Sequence, residues 1–339
     1  MILDPWVLGL VTGHTAMLFI FSLAVVGAWQ IYRGWDFESN SEKQYELEKK
    51  TYLVSTVMNF VLIIQMIMLF LLVLAADELS KVIPGAMCAT GTLSSNSFGF
   101  PVLWVKIFSF FVYFIWLIMN HLDNQIETYP LVKIKYLMLI CIYPFAAAEA
   151  VLLLMFVFNL NPTVITSCCG SIYNDASAGL GGTLAGASPT FTLSVLFIVV
   201  FVIFLRFLFR EKYPEQVFLR YSVAEIALWL IFFVIAVMAI VSFVSTYIYE
   251  MLSHKCPFCF LKGEYYFIGI PIYVSLFIAT AAGLSTGALD LLPVTPPIRE
   301  QARRIQKNLG KIAQAGMLLF LIFSFSPFVI YYFRTGRLI

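Results

Sequence analysis

Charged side chains are scarce in this chain. Only 12% of its 339 residues are Asp, Glu, Lys or Arg, whereas 61% are hydrophobic. A soluble domain carries about a quarter charged residues, so the composition excludes an ordinary soluble protein. Polar stretches are short as well: the longest gap between apolar runs is about thirty residues, too few to bury a core of their own.

Several sequence motifs are also missing. Nothing resembles a Walker motif, a nucleophile elbow or a zincin motif, so ATP-driven transport and hydrolysis have no support. The chain has three histidines, and only His14 lies well inside an apolar run, whereas a b-type haem usually takes two axial ligands. The first apolar run follows MILDP without a basic n-region, which predicts a retained helix rather than a cleaved signal peptide.

Apolar runs of roughly 20 residues are abundant, and each is long enough to cross a bilayer core of about 30 Å. The pattern predicts an all-α integral membrane protein, a bundle of about eight transmembrane helices that forms a single transmembrane domain over residues 1–339. The predicted spans are about 6–32, 52–75, 101–120, 136–159, 191–210, 222–250, 266–289 and 313–333.

Basic residues indicate how these spans are oriented. Fifteen Lys and Arg residues follow spans one, three, five and seven, whereas six lie on the other side. Because cytoplasmic loops carry the excess of Lys and Arg, the first set is expected in the cytoplasm and both termini outside. The chain is therefore predicted to cross its membrane several times.

The six cysteines are unevenly distributed. Five fall in loops on the predicted outer side: Cys88, Cys168, Cys169, Cys256 and Cys259. Cys141 lies inside the fourth span and is expected to be a small core hydrophobe. Disulfides persist outside the cytoplasm, so the five are candidates for disulfides, redox chemistry or metal ligation. Because five is an odd number, at least one is free, metal-bound or shared with a partner chain.

The stretch CPFC brings two cysteines to the predicted start of the seventh span. The positive end of a helix favours a thiolate, and Lys255 and Lys262 add positive charge, so Cys256 and Cys259 are predicted to be a redox-active pair. A plain disulfide that braces the loop remains the alternative. In ITSCCG, Cys168 and Cys169 are too close to pair with each other without strain, so one of them is expected to reach another outer cysteine.

At these residues the sequence resembles a known group of enzymes. CPFCFLKGEYYFIGIP is similar to the Cys-Pro-x-Cys that opens a transmembrane helix in vitamin K epoxide reductases and in bacterial disulfide-generating quinone reductases. The resemblance covers about fifteen residues. It implies that Cys256 and Cys259 exchange electrons with a quinone, the implied cofactor. Cys88, Cys168 and Cys169 would then relay electrons from a partner, such as a periplasmic thiol protein. Those enzymes have four-helix cores, whereas eight spans are predicted here.

The whole chain also resembles a family of bacterial multi-span inner-membrane proteins. The shared stretches are MCATGTL, NHLDNQ, ITSCCG and CPFCFLK. This resemblance implies a multi-pass protein of a bacterial inner membrane, and it implies no particular function.

Three polar residues lie inside predicted spans, where burial in lipid is costly. His14, Lys106 and Glu149 lie about 12, 8 and 15 Å below the predicted outer end of their helices, at about 1.5 Å per residue. One interpretation makes them a cofactor-binding group, with His14 and Glu149 carrying protons to a quinone. The other makes Lys106 and Glu149 an ion pair that stabilises packing.

Two other functions remain open. The outer cysteines, with Met87 and His254, are soft ligands on one side of the membrane that suit monovalent copper or zinc. No second Cys-x-x-Cys completes a four-ligand motif, and the leading interpretation assigns no metal ligand. In the second alternative, the protein is a non-catalytic subunit of a larger respiratory or transport complex, and its disulfides are structural. The expected partners are the lipid bilayer and either a thiol protein or such subunits, and no nucleic acid.

Two cytoplasmic segments are predicted to have structural roles. NHLDNQIETYP, with His121 and Asp123, is expected to be a solvated helix end. TPPIREQARRIQKNLGKI, with Pro296 at the first helical position, is expected to form a basic amphipathic helix on the membrane surface. Its apolar stripe consists of Ile298, Ala302, Ile305, Leu309 and Ile312.

Overall fold

The structure is a computed structural model, and it describes residues 4–37, 41–126, 129–161, 166, 173, 182, 186–212, 219–292 and 296–337. All of the regular secondary structure in these ranges is helical. The helices are α1 (Pro5–Gly34), α2 (Glu42–Leu79), α3 (Ala89–Leu93), α4 (Gly99–Asp123), α5 (Val132–Phe158), α6 (Pro189–Lys212), α7 (Leu219–Ala239), α8 (Ser245–Tyr249), α9 (Gly269–Asp290) and α10 (Pro296–Thr335).

The prediction of an all-α protein with eight spans is confirmed. In the described residues, eight helices are long and apolar enough to cross a membrane, which makes this a multi-pass architecture. Their outward faces carry large apolar side chains, as a lipid environment requires: Phe19, Phe60, Phe201 and Ile330 are each more than half exposed. The sixth span is composite, since it runs from Ser222 to Tyr249 through α7, a π-helical turn and α8.

Contacts divide the chain into two compact units. The first comprises Met1–Pro84, Thr92–Thr166 and Val294–Ala302, and the second comprises Gly85–Gly91, Ser167–Pro293 and Arg303–Ile339. The single domain over residues 1–339 stays a prediction.

In the first unit, α1 packs against α2 and α5, and α4 packs against α2 and α5. Small residues let α1 approach α2 closely: a Cβ on Gly13 would lie 2.3 Å from Cε of Met68. Trp116 of α4 is fully buried, and its indole N–H donates to the carbonyl oxygen of Lys135 at 3.0 Å. This bond fixes α4 against α5, the two helices that hold the polar core described below.

In the second unit, α7 packs against α6 and α9. In the most apolar stretch of α9, 78% of the residues are buried. The helix is rich in Ala, Gly, Ser and Thr, whose small side chains let neighbouring helices approach closely. Between α7 and α8 the helix widens into one π-helical turn, Ile240–Val244, whose residues are all buried. Such turns are rare and often occur near functional sites.

The basic segment near the C-terminus does not form a separate surface helix. It is the first part of α10, which begins at Pro296 as predicted and continues without interruption through the last span to Thr335. Ile298, Ala302 and Leu309 of the predicted apolar stripe are buried within the protein, whereas Ile312 is exposed. The prediction of a separate amphipathic helix on the membrane surface was therefore wrong, because most residues of its apolar stripe pack against the protein.

Candidate functional site

Three cysteine thiols converge in the second unit. The sulfur atoms of Cys88, Cys256 and Cys259 lie within 4.8 Å of one another, and all three side chains are buried. The Cys88 and Cys256 sulfurs are 3.4 Å apart although 168 residues separate them along the chain. We call these three residues the thiol cluster.

The chain reaches the thiol cluster through a sharp helix end. Helix α8 stops at Tyr249, and Glu250 adopts a left-handed conformation with φ of 55°. Two tyrosine hydroxyls then hold the Cys-Pro-Phe-Cys backbone: Tyr249 donates to the carbonyl oxygen of Cys256 at 2.7 Å. Tyr273, from the second turn of α9, donates to the carbonyl oxygen of Pro257 at 2.6 Å. We call Tyr249 and Tyr273 the tyrosine clamp.

The expectation that Cys256 and Cys259 open the seventh helix was wrong. After Cys259 the chain makes two 3₁₀ turns, and α9 begins only at Gly269. Tyr266 and Phe267 both have positive φ, 54° and 53°, which prevents the helix from starting earlier. The dipole of α9 therefore does not act on the cysteine pair, because that effect fades within the first turn.

Cys88 is brought to the pair by a short segment that is tied in place. The Lys262 ammonium donates to the carbonyl oxygen of Met87 at 2.7 Å. The N–H of Gly91 donates to the carbonyl oxygen of Cys88 at 3.0 Å. A Cβ on Gly91 would lie 2.7 Å from the Ala86 backbone, so this tight turn requires glycine.

The sulfur of Cys256 has two further polar neighbours. The N–H of Phe258 donates to it at 3.4 Å, and the Thr90 hydroxyl lies at the same distance. His254 packs its ring against Tyr249 with 4.2 Å between centroids. Burial lowers the pKa of His254 below its ordinary value, while the neighbouring Cys88 thiol acts in the opposite direction.

The other cysteines have different outcomes. Cys168 and Cys169 lie outside the described residues. Cys141 is exposed on the surface of α5, so its predicted role as a small core hydrophobe was wrong. An apolar run places a small side chain such as cysteine on the buried and on the exposed face of a helix alike.

A buried polar core lies in the first unit. Lys106 of α4 and Glu149 of α5 form an ion pair at 3.1 Å, and each side chain is 1% exposed. Tyr113, two turns after Lys106 on the same face of α4, donates to the second carboxylate oxygen of Glu149 at 2.9 Å. The ion-pair prediction is thus confirmed, and Tyr113 is a further member that the sequence analysis did not identify.

His14 of α1 is also buried in the first unit. Its Nδ1 lies 3.0 Å from the carbonyl oxygen of Leu10, which can only accept, so Nδ1 carries the proton. Nε2 is buried and has no hydrogen-bond partner among the described residues. The cofactor-binding role predicted for His14, Lys106 and Glu149 stays a prediction.

A second buried ion pair joins the same two helices. Lys135 of α5 lies 2.6 Å from the Asp123 carboxylate at the end of α4, and both side chains are 0% exposed. The other oxygen of Asp123 accepts from the N–H of Leu131 at 2.8 Å, just before α5 begins. The expectation of a solvated helix end was therefore wrong for Asp123, although His121 is exposed as expected.

Comparisons with protein families, with curated proteins and with solved structures find no match to this chain. The arguments about function therefore rest on the thiol cluster and the buried polar core themselves.

Proposed function

We propose that this protein is a membrane thiol–disulfide oxidoreductase linked to quinone. Cys256 and Cys259 are the redox pair, and Cys88 is the thiol that exchanges with them. The observation that carries the proposal is the thiol cluster: three buried sulfurs within 4.8 Å of one another. The excess of basic residues on the opposite side supports a site on the outer face of the membrane. The resemblance of the chain to bacterial multi-span proteins supports a bacterial inner membrane.

Three neighbouring sulfurs are what thiol–disulfide exchange requires. In the oxidised state Cys256 and Cys259 share a disulfide. The Cys88 thiolate attacks the Cys256 sulfur, a new Cys88–Cys256 bond forms, and Cys259 leaves as a thiolate that takes up the proton lost by Cys88. The 3.4 Å separation of the Cys88 and Cys256 sulfurs favours this direction of attack.

An external thiol protein, acting through Cys168 and Cys169, then supplies two electrons and two protons that break the Cys88–Cys256 bond, so that Cys256 and Cys259 are both thiols. The pair returns to its oxidised state by giving two electrons to a quinone. Two thiols lose two electrons and two protons and form one disulfide, and the quinone takes up both and becomes a quinol. The local resemblance of CPFCFLKGEYYFIGIP to quinone-linked enzymes supports this choice of oxidant. Cys168 and Cys169 are proposed to pass electrons to the cluster from an external thiol protein.

The sharpest test follows the thiols and the quinone together. The full chain is reduced, placed in lipid nanodiscs and mixed with a short-chain benzoquinone, and thiol loss and quinol formation are measured in parallel. We expect one quinol for each disulfide formed. Cys256→Ser and Cys259→Ser should each lower quinol formation to background, whereas Cys141→Ser, which alters an exposed cysteine on α5, should leave it unchanged.

Failure of this test has a specific meaning. If the reduced thiols are not oxidised by the quinone, or if Cys256→Ser retains full quinol formation, the redox function is wrong. A disulfide that mild reductant cannot open would instead favour the non-catalytic subunit of a larger complex.

Proton transfer to the quinone is proposed for His14 and Glu149. The support is their burial in the first unit and the Nε2 atom of His14, which finds no hydrogen-bond partner among the described residues. General acid–base catalysis contributes about 100-fold or more, so His14→Gln should slow quinol formation by about 100-fold. The rate of thiol exchange with dithiothreitol, which needs no quinone, should not change. An unaltered rate of quinol formation in His14→Gln would remove this residue from the mechanism.

A further inference from the structure

We propose that the reduced thiol cluster binds one monovalent copper ion through the sulfurs of Cys88, Cys256 and Cys259, and that oxidation of the pair releases it. The binding itself depends only on the positions of the three thiols. The release rests on the redox function proposed above, because it requires a Cys256–Cys259 disulfide to form.

The spacing of the sulfurs suits a metal centre. Metal–sulfur bonds of about 2.3 Å place the sulfurs about 4 Å apart in a trigonal site. The three sulfurs of the thiol cluster lie within 4.8 Å of one another, and those of Cys88 and Cys256 are 3.4 Å apart. Small side-chain rotations therefore bring all three to bonding distance, and no backbone rearrangement is needed.

The donor set indicates which metal fits. Thiolates are soft ligands that select Cu⁺, Zn²⁺ and iron–sulfur clusters. Structural zinc is almost always four-coordinate. Among the described residues, the group of ligand atoms within 4.8 Å of one another contains three cysteines and no histidine or carboxylate. Three soft ligands match Cu⁺, a d¹⁰ ion that accepts trigonal coordination.

The surrounding contacts prepare this site before metal arrives. The tyrosine clamp fixes the carbonyl groups of Cys256 and Pro257, and Lys262 fixes the backbone beside Cys88. Each of the three cysteine side chains is at most 7% exposed, which shields bound Cu⁺ from oxidants in water. Binding converts three thiols into three thiolates and releases three protons, and the cations of Lys255 and Lys262 in the same loop offset the negative charge.

Oxidation controls occupancy by removing ligands. When a quinone takes two electrons and two protons from Cys256 and Cys259, both sulfurs enter a disulfide and can no longer act as thiolates. Cys88 alone then remains, and a single thiolate does not retain Cu⁺ against a chelator. Conversely, bound copper occupies the thiols and should slow their oxidation by quinone.

The test uses the full chain in lipid nanodiscs, reduced under anaerobic conditions. Cu⁺ is titrated against a competing Cu⁺ chelator, and X-ray absorption counts the sulfur ligands. We expect one Cu⁺ per chain with three sulfurs, both in the wild type and in a background carrying Cys141→Ser, Cys168→Ser and Cys169→Ser. In that background, Cys88→Ser, Cys256→Ser and Cys259→Ser should each weaken binding by at least about 100-fold, since even outer partners of a metal ligand are worth about 10- to 100-fold.

Several results would overturn the proposal. These are loss of binding in the background that lacks the other three cysteines, unchanged affinity after Cys88→Ser, or tighter binding of Zn²⁺ than of Cu⁺ with a fourth ligand. Thermal unfolding of each variant shows whether a lost site reflects a lost fold. Copper binding without oxidation by quinone would leave this site intact and refute the redox function, whereas quinone-driven thiol cycling without copper binding would refute only this inference.

Discussion

Replacing Glu149 with leucine is expected to lower the free energy of unfolding by about 3–5 kcal/mol, because it leaves the buried Lys106 ammonium without its counter-charge. Both side chains of this pair are 1% exposed, so water cannot compensate. Tyr113 also loses the carboxylate oxygen that accepts its hydroxyl proton. Equilibrium unfolding in mixed detergent micelles measures the change.

A matched set of variants separates the charge from the packing. Lys106→Met, Glu149→Leu and Tyr113→Phe together remove every member of the network and should recover most of the loss, since apolar groups of similar volume often replace a buried ion pair without cost. Lys81→Ala, which breaks an ion pair whose side chains are 67% and 40% exposed, should cause no measurable change. Equal losses in the single and the triple variant would show that the ion pair is not the cause.

Gly283→Ala is expected to lower the free energy of unfolding by about 3 kcal/mol, which is at the upper end of the usual effect of overpacking. A Cβ at this position of α9 would lie 2.1 Å from two ring atoms of Trp229 in α7. The ring is held in place, because Trp229 is buried, its N–H donates to Glu225 at 2.9 Å, and it packs nearly perpendicular to the ring of Phe232 with 5.5 Å between centroids. Thermal unfolding in detergent measures the loss.

The control for this prediction is another helical glycine. A Cβ on Gly9 of α1 would have no atom within 4 Å, so Gly9→Ala should stabilise the protein by up to about 1 kcal/mol through helix propensity. A smaller partner, Trp229→Leu, should recover part of the loss caused by Gly283→Ala. If Gly283→Ala changes the stability in the same way as Gly9→Ala, then α7 and α9 do not approach each other as closely at Gly283 as described.

The spans could be predicted from the sequence because a bilayer imposes a length and an apolar composition on each helix. The Lys106–Glu149 ion pair could be predicted for a related reason. Two opposite charges at similar predicted depths in the membrane are costly unless they form a pair. Tyr113 gave no comparable signal, because a tyrosine in an apolar run is compatible with many environments. Its spacing of seven residues from Lys106 places it on the same face and was the available indication.

The thiol cluster could be predicted only in part from the sequence. The uneven distribution of cysteines indicated that several of them act together, but the sequence cannot show that Cys88 meets Cys256 across 168 residues. The start of the seventh helix was placed too near the cysteine pair because aromatic and apolar residues continue through Tyr266 and Phe267. The sequence does not show that these two residues adopt positive φ angles. Asp123 was misjudged because its partner, Lys135, lies beyond a turn that reads as solvated loop.

The π-helical turn Ile240–Val244 determines how the helix before the tyrosine clamp tolerates a change of length. A π turn holds one residue more than an α turn, whereas each α-helical residue rotates the chain by about 100°. Deleting one residue within the π turn would therefore convert it to an α turn and keep Tyr249 directed at the carbonyl group of Cys256. Deleting one residue from the α-helical part of α7 would instead rotate Tyr249 by about 100° and break its hydrogen bond, although no polar side chain had been altered. The geometry of the thiol cluster thus depends on the rotational register of an apolar helix, which hydropathy alone does not reveal.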